Sequence, residues 1–159
     1  MSLHLNEIKL NASRFVLKWK EKAPHAREEA DAQTFQNEFF AIFGISRSKI
    51  AVFEQKVKLG DGSSGYIDLL WKGYILIEMK SPGKDLKLAY EQAKNYALAL
   101  PEDDMPRGIL VCDFCNFEYY NLEKNAERTT FKLEELESYI TLFAFLAGYK
   151  DLEYKRQTL

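Results

Sequence analysis

Four stretches of the sequence space their apolar residues three or four positions apart, as one face of a helix does. They cover residues 3–22, 26–43, 85–100 and 132–147. Pro24 separates the first two stretches, and Gly44 and Gly148 follow the second and the fourth, where glycine is typical of a helix end. The spacing in the first stretch is roughly helical and predicts one or two helices, and each of the others predicts one.

Five shorter segments are predominantly apolar or alternate between apolar and polar residues, which is typical of β-strands. They cover residues 50–59, 66–71, 74–80, 108–114 and 117–122. Turn-forming residues from Gly60 to Gly65 separate the first two segments. Together with the helices, these segments predict an α/β (α+β) fold, in which helices flank a central mixed sheet of about five strands.

The segment from Gly65 to Lys80, GYIDLLWKGYILIEMK, places charged residues inside two apolar strands. Side chains alternate between the two faces of a strand, so Asp68 lies on one face of the first strand and Glu78 and Lys80 share one face of the second. The opposite faces are wholly apolar. Burial of a carboxylate costs free energy unless a metal or an opposite charge compensates it. These three residues are therefore candidates for function.

The length of the intervening loop decides whether the charged side chains share a face. A two-residue turn at Lys72-Gly73 would pair Asp68 with Ile77, whereas a three-residue loop, Lys72 to Tyr74, pairs Asp68 with Glu78. We predict the three-residue loop or an equivalent bulge. Directly opposed carboxylates repel each other, and a divalent cation between them would remove that repulsion.

Carboxylate oxygens are the ligands that Mg²⁺ prefers, usually one or two of them together with water and phosphate. Asp68 and Glu78 are therefore candidate metal ligands, with the backbone carbonyl of Met79 as a further candidate. Manganese is an alternative to magnesium at such a site. An ion pair between Lys80 and either acid is the purely structural alternative.

Asp68, the nine residues that follow it and Glu78-Met79-Lys80 resemble the PD-(D/E)XK nuclease core, with Ile67 in the place of its loosely kept proline. GYIDLLWKGYILIEMKSPGKDL, AYEQAKNYA, DAQTFQNEFFAIFGI and LFAFLAGY are similar to segments of the amino-terminal nuclease domain of MmeI-like restriction–modification enzymes, of type IIL or IIG, and of related defence methyltransferases. The resemblance covers residues 26–149. It implies a restriction-endonuclease-like core and magnesium-dependent hydrolysis of DNA, in which Lys80 orients or deprotonates the attacking water or holds the phosphate.

The resemblance also implies roles for residues outside the hairpin. Gln92 and Tyr96 are four residues apart on one face of the predicted third helix, and they resemble the Q-x-x-x-Y element that lies beside the metal site of RecB-like nucleases. The alternative is that Tyr96 packs in the core and Gln92 lies on the surface. In the wider superfamily a glutamate of the first helix often reaches the metal, and Glu38 matches that role or is a solvated helix carboxylate.

Three further residues are weaker candidates. Glu54, in the Phe53-Glu54 pair that resembles the family, would support the metal ligands from behind or lie on the surface of an edge strand. Lys84 and Lys87 flank the start of the third predicted helix and are candidate contacts for DNA phosphate, or solvated lysines.

The composition is that of a globular protein, with 159 residues of which 47% are hydrophobic and 29% are charged. The net charge of −2 disfavours a protein that simply coats DNA, but it disfavours a nuclease with an acidic site less. No apolar run reaches the length of a membrane span and no secretory leader is present, so we expect a cytoplasmic protein. Cys112 and Cys115 have the CxxC spacing of half a zinc site, but a closed site needs four ligands and both histidines are distant in sequence, which favours structural cysteines.

The expected organisation is an N-terminal helical segment at residues 1–25, a nuclease domain at 26–149 and the start of a linker at 150–159. The GxGxxG spacing of residues 60–65, GDGSSG, lies in a turn between two predicted strands and does not open a helix, so no S-adenosylmethionine site is expected in this segment. The expected function is a magnesium-dependent DNA endonuclease domain of a restriction–modification enzyme. The alternative is a non-catalytic DNA-binding or assembly module with the same fold. The expected partners are double-stranded DNA and, as an option during cleavage, a second copy of the chain, and no membrane.

Overall fold

The computed structural model describes residues 3–46, 52–58 and 64–149, and for residues 52–58 and 64–67 it describes the backbone alone. The helices are α1 (Leu5–Trp19), α2 (Glu28–Ile42), α3 (Leu86–Leu98) and α4 (Leu136–Tyr139). Short 3₁₀ segments cover Ala23–His25, Glu102–Asp104, Leu122–Lys124, Leu133–Glu135 and Ile140–Ala147. The predicted helix at 132–147 is thus helical, but most of it has the tighter 3₁₀ winding.

The strands form one six-stranded sheet in sequence order. They are β1 (Val52–Lys58), β2 (Ser64–Trp71), β3 (Ile75–Met79), β4 (Gly108–Cys112), β5 (Asn116–Asn121) and β6 (Glu127–Lys132). β3 and β4 are parallel and are joined through α3, while every other neighbouring pair is antiparallel. The mixed sheet flanked by helices confirms the predicted fold class.

The strand β6 is one more than the sequence pattern predicted. Its side chains are exposed or half-buried apart from Phe131, so it lacks the apolar run that marks the inner strands. It is an edge strand that pairs only with β5 within the described sheet. Polar edge strands of this kind carry little hydrophobic signal, which is why the apolar pattern predicts no strand between residues 122 and 132.

Each face of the sheet has its own apolar core. One core contains α1, α2 and the C-terminal helical segments packed on Leu69, Ile75, Ile77 and Met79. The other contains α3 packed on the opposite face, which includes Leu70 and Leu76. The division of β2 and β3 into two faces is the one that alternation predicts.

Helix α1 belongs to the first of these cores. Its buried residues, Leu5, Ile8, Ala12, Phe15 and Trp19, recur every three or four positions. Trp19 is 1% exposed, and the centroid of its ring lies 5.0 Å from the ring centroid of Phe35 and 6.1 Å from that of Phe114. The N-terminal helix therefore contributes to the same core as α2 and the sheet. Within the described residues, no helix is long and apolar enough to cross a membrane.

Candidate active site

The β2–β3 hairpin has the loop that was predicted. Leu69 pairs with Ile77 and Trp71 with Ile75, which leaves Lys72 to Tyr74 as a three-residue loop. Gly73 in this loop has a φ of 80°, a conformation that glycine adopts without a steric penalty. The register places Asp68 level with Glu78, so the two acids meet as the sequence argument required.

Beyond the Leu69–Ile77 pair, the two carboxylates bind the backbone of the facing strand. The Asp68 N–H donates to Glu78 Oε1 at 3.2 Å, and the Met79 N–H donates to Asp68 Oδ2 at 2.9 Å. Each acid is therefore held by a backbone donor on the other strand. Fixed hydrogen bonds of this kind orient carboxylates for metal coordination.

The electrostatic environment of Glu78 disfavours its charged form. Glu78 is 4% exposed, and burial, followed by the charge of Asp68, raises the pKa of Glu78 from its ordinary 4.5 to about 8. A smaller contribution in the same direction comes from Glu28, while the backbone hydrogen bond with Asp68 and the charge of Lys80 oppose the shift. The site carries more negative charge than its lysine neutralises, and a cation would relieve that excess.

Lys80 follows β3 and lies beside the acids. Its Nζ is 3.9 Å from Glu78 Oε2, and its side chain is 25% exposed. The Lys80 N–H donates to the Cys112 carbonyl at 2.9 Å, which fixes the backbone at the carboxyl ends of the parallel strands β3 and β4. The lysine is thus anchored at its backbone while its ammonium group reaches both solvent and the acidic pair.

A cavity of about 450 Å³ connects Asp68 with the first half of α2. Glu28 and Gln36 line it together with Asp68. The Glu28 N–H donates to the Ser81 hydroxyl at 3.0 Å, which ties the start of α2 to the segment after β3. Gln36 is 2% exposed, its Nε2 donates to the Ala32 carbonyl, and its Oε1 accepts no hydrogen bond from the part of the chain that the structure describes.

The α2 glutamate beside the acidic pair is Glu28, and the assignment of Glu38 to this position is corrected. Glu38 Oε1 lies 2.7 Å from Lys18 Nζ and accepts the indole N–H of Trp19 at 3.3 Å, so it faces α1 and lines a different pocket. Ten residues of helix separate the two glutamates, roughly 15 Å at 1.5 Å per residue. The sequence does not distinguish Glu28 from the other acidic residues in the first turn of α2, because acidic residues are common at the start of a helix.

The structure does not bring Gln92 and Tyr96 into the cavity that Asp68 lines. Gln92 is exposed on α3, and Tyr96 is half-buried against the core on the α3 side. This is the alternative that the four-residue spacing had left open. Their roles beside the metal stay predictions.

The remaining candidates are placed as follows. The backbone of Glu54 lies between the pairs Phe53–Leu69 and Gln55–Ile67, level with Asp68, and its side chain lies outside the described part of the chain. Lys84 and Lys87 are exposed at the start of α3 and line a cleft formed with β5 and β6. The predicted linker, residues 150–159, also lies outside the described residues.

The donor set fits a hard divalent cation. Across residues 3–46 and 68–149 no group of three or more acidic, histidine or cysteine side chains is arranged to hold a metal. Magnesium does not require such a group, because one or two carboxylates suffice when water and phosphate complete its shell. Asp68 and Glu78 supply two carboxylates. Backbone hydrogen bonds hold them in place, and a bound cation would offset their mutual repulsion.

Known proteins resemble the chain in sequence family and in fold. Residues 10–158 match the family model described as "MmeI, N-terminal domain". A solved structure described as "cryoEM structure DrdV-DNA complex" is similar in fold, with a TM-score of 0.58 and 13% sequence identity over 89% of this chain. The chain spans 14% of the length of that protein. No curated protein sequence matches the chain.

Proposed function

Because the chain belongs to the family of MmeI N-terminal domains, we propose that it is a magnesium-dependent DNA endonuclease domain of a restriction–modification enzyme. The observation that supports this most directly is the meeting of Asp68 and Glu78 across β2 and β3, with the Lys80 ammonium 3.9 Å from Glu78. The neighbour in complex with DNA is consistent with a DNA substrate.

In this proposal Asp68 and Glu78 hold the metal, with the Met79 carbonyl as a further ligand. The bound metal supplies Lewis acidity toward the phosphoryl oxygen and lowers the pKa of water. Glu28 lies close enough for its charge to act on Glu78, and it adds a third carboxylate at the edge of the same cavity. Manganese can replace magnesium, since both take oxygen ligands.

Lys80 has the role of positioning a reactant. Its ammonium group can donate to the attacking water or to an oxygen of the scissile phosphate. The ion pair with Glu78 keeps this group beside the acids, and its partial exposure leaves it accessible to a substrate. A lysine held this way contributes a point charge at the position where negative charge develops.

The test is nicking of supercoiled plasmid DNA with magnesium, with and without chelator, by the wild type and by Lys80→Arg. The arginine variant keeps a positive charge beside Glu78 but replaces the compact ammonium by a planar fork. We expect it to bind metal like the wild type and to cut at least about a hundredfold more slowly, the usual cost of losing one transition-state donor. Asp68→Ala should lose both metal binding and DNA cleavage.

Metal binding is measured separately by calorimetric titration with magnesium or manganese, so that an isolated domain that cuts slowly still gives a result. Equal cutting by the wild type and Lys80→Arg would remove Lys80 from the mechanism. Undiminished metal binding by Asp68→Ala would remove the proposed metal site.

A further inference from the structure

A second polar feature lies on the same face of the sheet as Glu78. Glu78 pairs with Val111, Val111 with Glu118 and Glu118 with Thr130, so these residues form one row across four strands and project to one face. Three strand spacings of about 4.8 Å place Thr130 roughly 14 Å from Glu78. The row thus runs from the candidate metal site to the edge strand β6.

Helix α3 covers only part of this face. It packs on Leu76, Ile109, Val111 and Tyr120, which belong to β3, β4 and β5. Next to the part of the face that α3 covers, the first turn of α3 and the outer strands β5 and β6 line an open cleft of about 600 Å³. We call this the β6 cleft.

Four basic residues line the β6 cleft: Lys84, Lys87, Arg128 and Lys132. All four are exposed, two on the α3 side and two on β6. The three lysines form no ion pair with any residue that the structure describes, while Arg128 pairs with Glu118 at 3.5 Å. The cleft therefore has cationic groups on both walls, and these groups can bind an anionic ligand.

The acids of the cleft are already engaged by the chain itself. Asp85 accepts two backbone N–H groups as the N-cap of α3, Asp113 accepts two backbone N–H groups in the β4–β5 turn, and Glu135 accepts the N–H of Lys132. Glu118 accepts a tyrosine hydroxyl and pairs with Arg128. These carboxylates are held against the fold, whereas the three lysines of the cleft are exposed.

We propose that the β6 cleft binds the phosphate backbone of the DNA strand that extends from the candidate metal site, with Lys84, Lys87 and Lys132 as the phosphate contacts. This proposal rests on the proposed function, because it takes DNA as the substrate of the acidic pair. Thr130 also lines the cleft, and its hydroxyl group can donate to the same phosphates.

The test is binding of a fluorescently labelled DNA duplex by the complete chain in chelator, followed by anisotropy over a series of salt concentrations. The cleft variant is Lys84→Glu with Lys132→Glu. The control is Lys20→Glu with Lys124→Glu, which changes the net charge by the same amount at exposed positions that do not line the cleft. Loss of two phosphate contacts should weaken binding about tenfold or more and reduce the slope of log K against log salt by about two. The control should keep the slope of the wild type.

A milder pair, Lys84→Gln with Lys132→Gln, provides a second reading if charge reversal impairs folding, and circular dichroism verifies that each variant is folded. It should reduce the slope by the same amount with a smaller loss of affinity. A slope like that of the wild type in either folded cleft variant would overturn the proposal.

The same samples distinguish this proposal from the proposed function. Asp68→Ala should bind the duplex with the slope of the wild type while losing cleavage. If Asp68→Ala still cuts, the assignment of the metal site fails, and the salt slopes continue to decide the β6 cleft. Absence of any duplex binding by the wild type at low salt would overturn the β6 cleft proposal.

Discussion

At the residue scale, the unusual feature of the site is a buried glutamate whose pKa lies near neutrality. Burial, together with the charge of Asp68, raises the pKa of Glu78 to about 8. When folding raises the pKa of a carboxyl group, that group stabilises the folded chain. The stabilisation is complete at pH values below the pKa that the group has in the unfolded chain. That contribution is lost as the pH rises through the folded pKa. The metal-free chain should therefore become less stable as the Glu78 proton is lost.

Calorimetric and thermal measurements should show this dependence directly. The melting temperature of the metal-free chain should fall between about pH 5 and about pH 8.5, and manganese should raise it most at the upper end, where Glu78 is ionised. Near neutral pH, metal binding should release close to one proton, which is measured in buffers of different ionisation enthalpy. Glu78→Gln should remove both the proton release and its share of the slope. Release of a full proton by that variant would assign the proton to another group.

The two glutamates of α2 give a matched pair of substitutions. Glu28→Gln removes a charge that acts on Glu78 and should weaken manganese binding about tenfold, since a nearby charge in a protein site is worth about 1.4 kcal/mol or more. Glu38→Gln should leave metal binding unchanged. It should lower the free energy of unfolding by less than about 1 kcal/mol, because its partner Lys18 is half exposed. Equal metal affinities for the two variants would contradict the placement of Glu28.

The sequence was sufficient to place Asp68 opposite Glu78 but not to choose between Glu28 and Glu38. Alternation and loop length are local properties, and they determine the register of a hairpin without knowledge of the rest of the fold. Which end of α2 approaches the site depends on how the helix crosses the sheet. That crossing is set by the packing of Phe35, Phe39 and their neighbours against α1 and the sheet. No pattern within α2 alone contains this information.

At the element scale, the β2–β3 loop determines whether the acids meet. Gly73 has a φ of 80°, and a side chain added there would meet no atom within 4 Å, so the cost of a substitution is conformational alone. Gly73→Ala should lower the free energy of unfolding by about 1 kcal/mol, whereas Gly73→Asn should cost less because asparagine tolerates the left-handed region. Urea unfolding measures both.

An equal cost for the two substitutions would show that the loop changes its conformation to accommodate them. In that case the hairpin register would no longer depend on Gly73. Metal titration of the same variants would then reveal whether Asp68 and Glu78 still meet.

The element that the sequence pattern missed is also informative. β6 presents a mainly polar surface because one of its faces is left uncovered by α3, and the exposed residues include Arg128, Thr130 and Lys132. Hydrophobic periodicity finds strands that are covered, so it misses one whose role is to complete a sheet edge. The property that hides β6 from the sequence pattern is the same property that makes the β6 cleft available to a ligand.

At the scale of the whole molecule, the site depends on a core that begins with α1. The sequence predicts an N-terminal helical segment at residues 1–25, and in the structure Phe15 and Trp19 pack on Phe35 and Phe114 within the core shared with the sheet. That core supports α2, and α2 carries Glu28 to the site. The N-terminal helix thus acts on the site through α2.

Removal of residues 1–25 should therefore abolish the cooperative unfolding transition, because it exposes the aromatic surface that α1 covers. In the complete chain, Trp19→Ala should lower the free energy of unfolding by about 4 kcal/mol, the usual cost of truncating a large buried aromatic residue. Leu17→Ala, on the same helix but 65% exposed, should change it by less than about 0.5 kcal/mol. Denaturant unfolding followed by circular dichroism measures all three. If the truncated chain unfolded cooperatively at the midpoint of the complete chain, α1 would be an independent segment and the site would not depend on it.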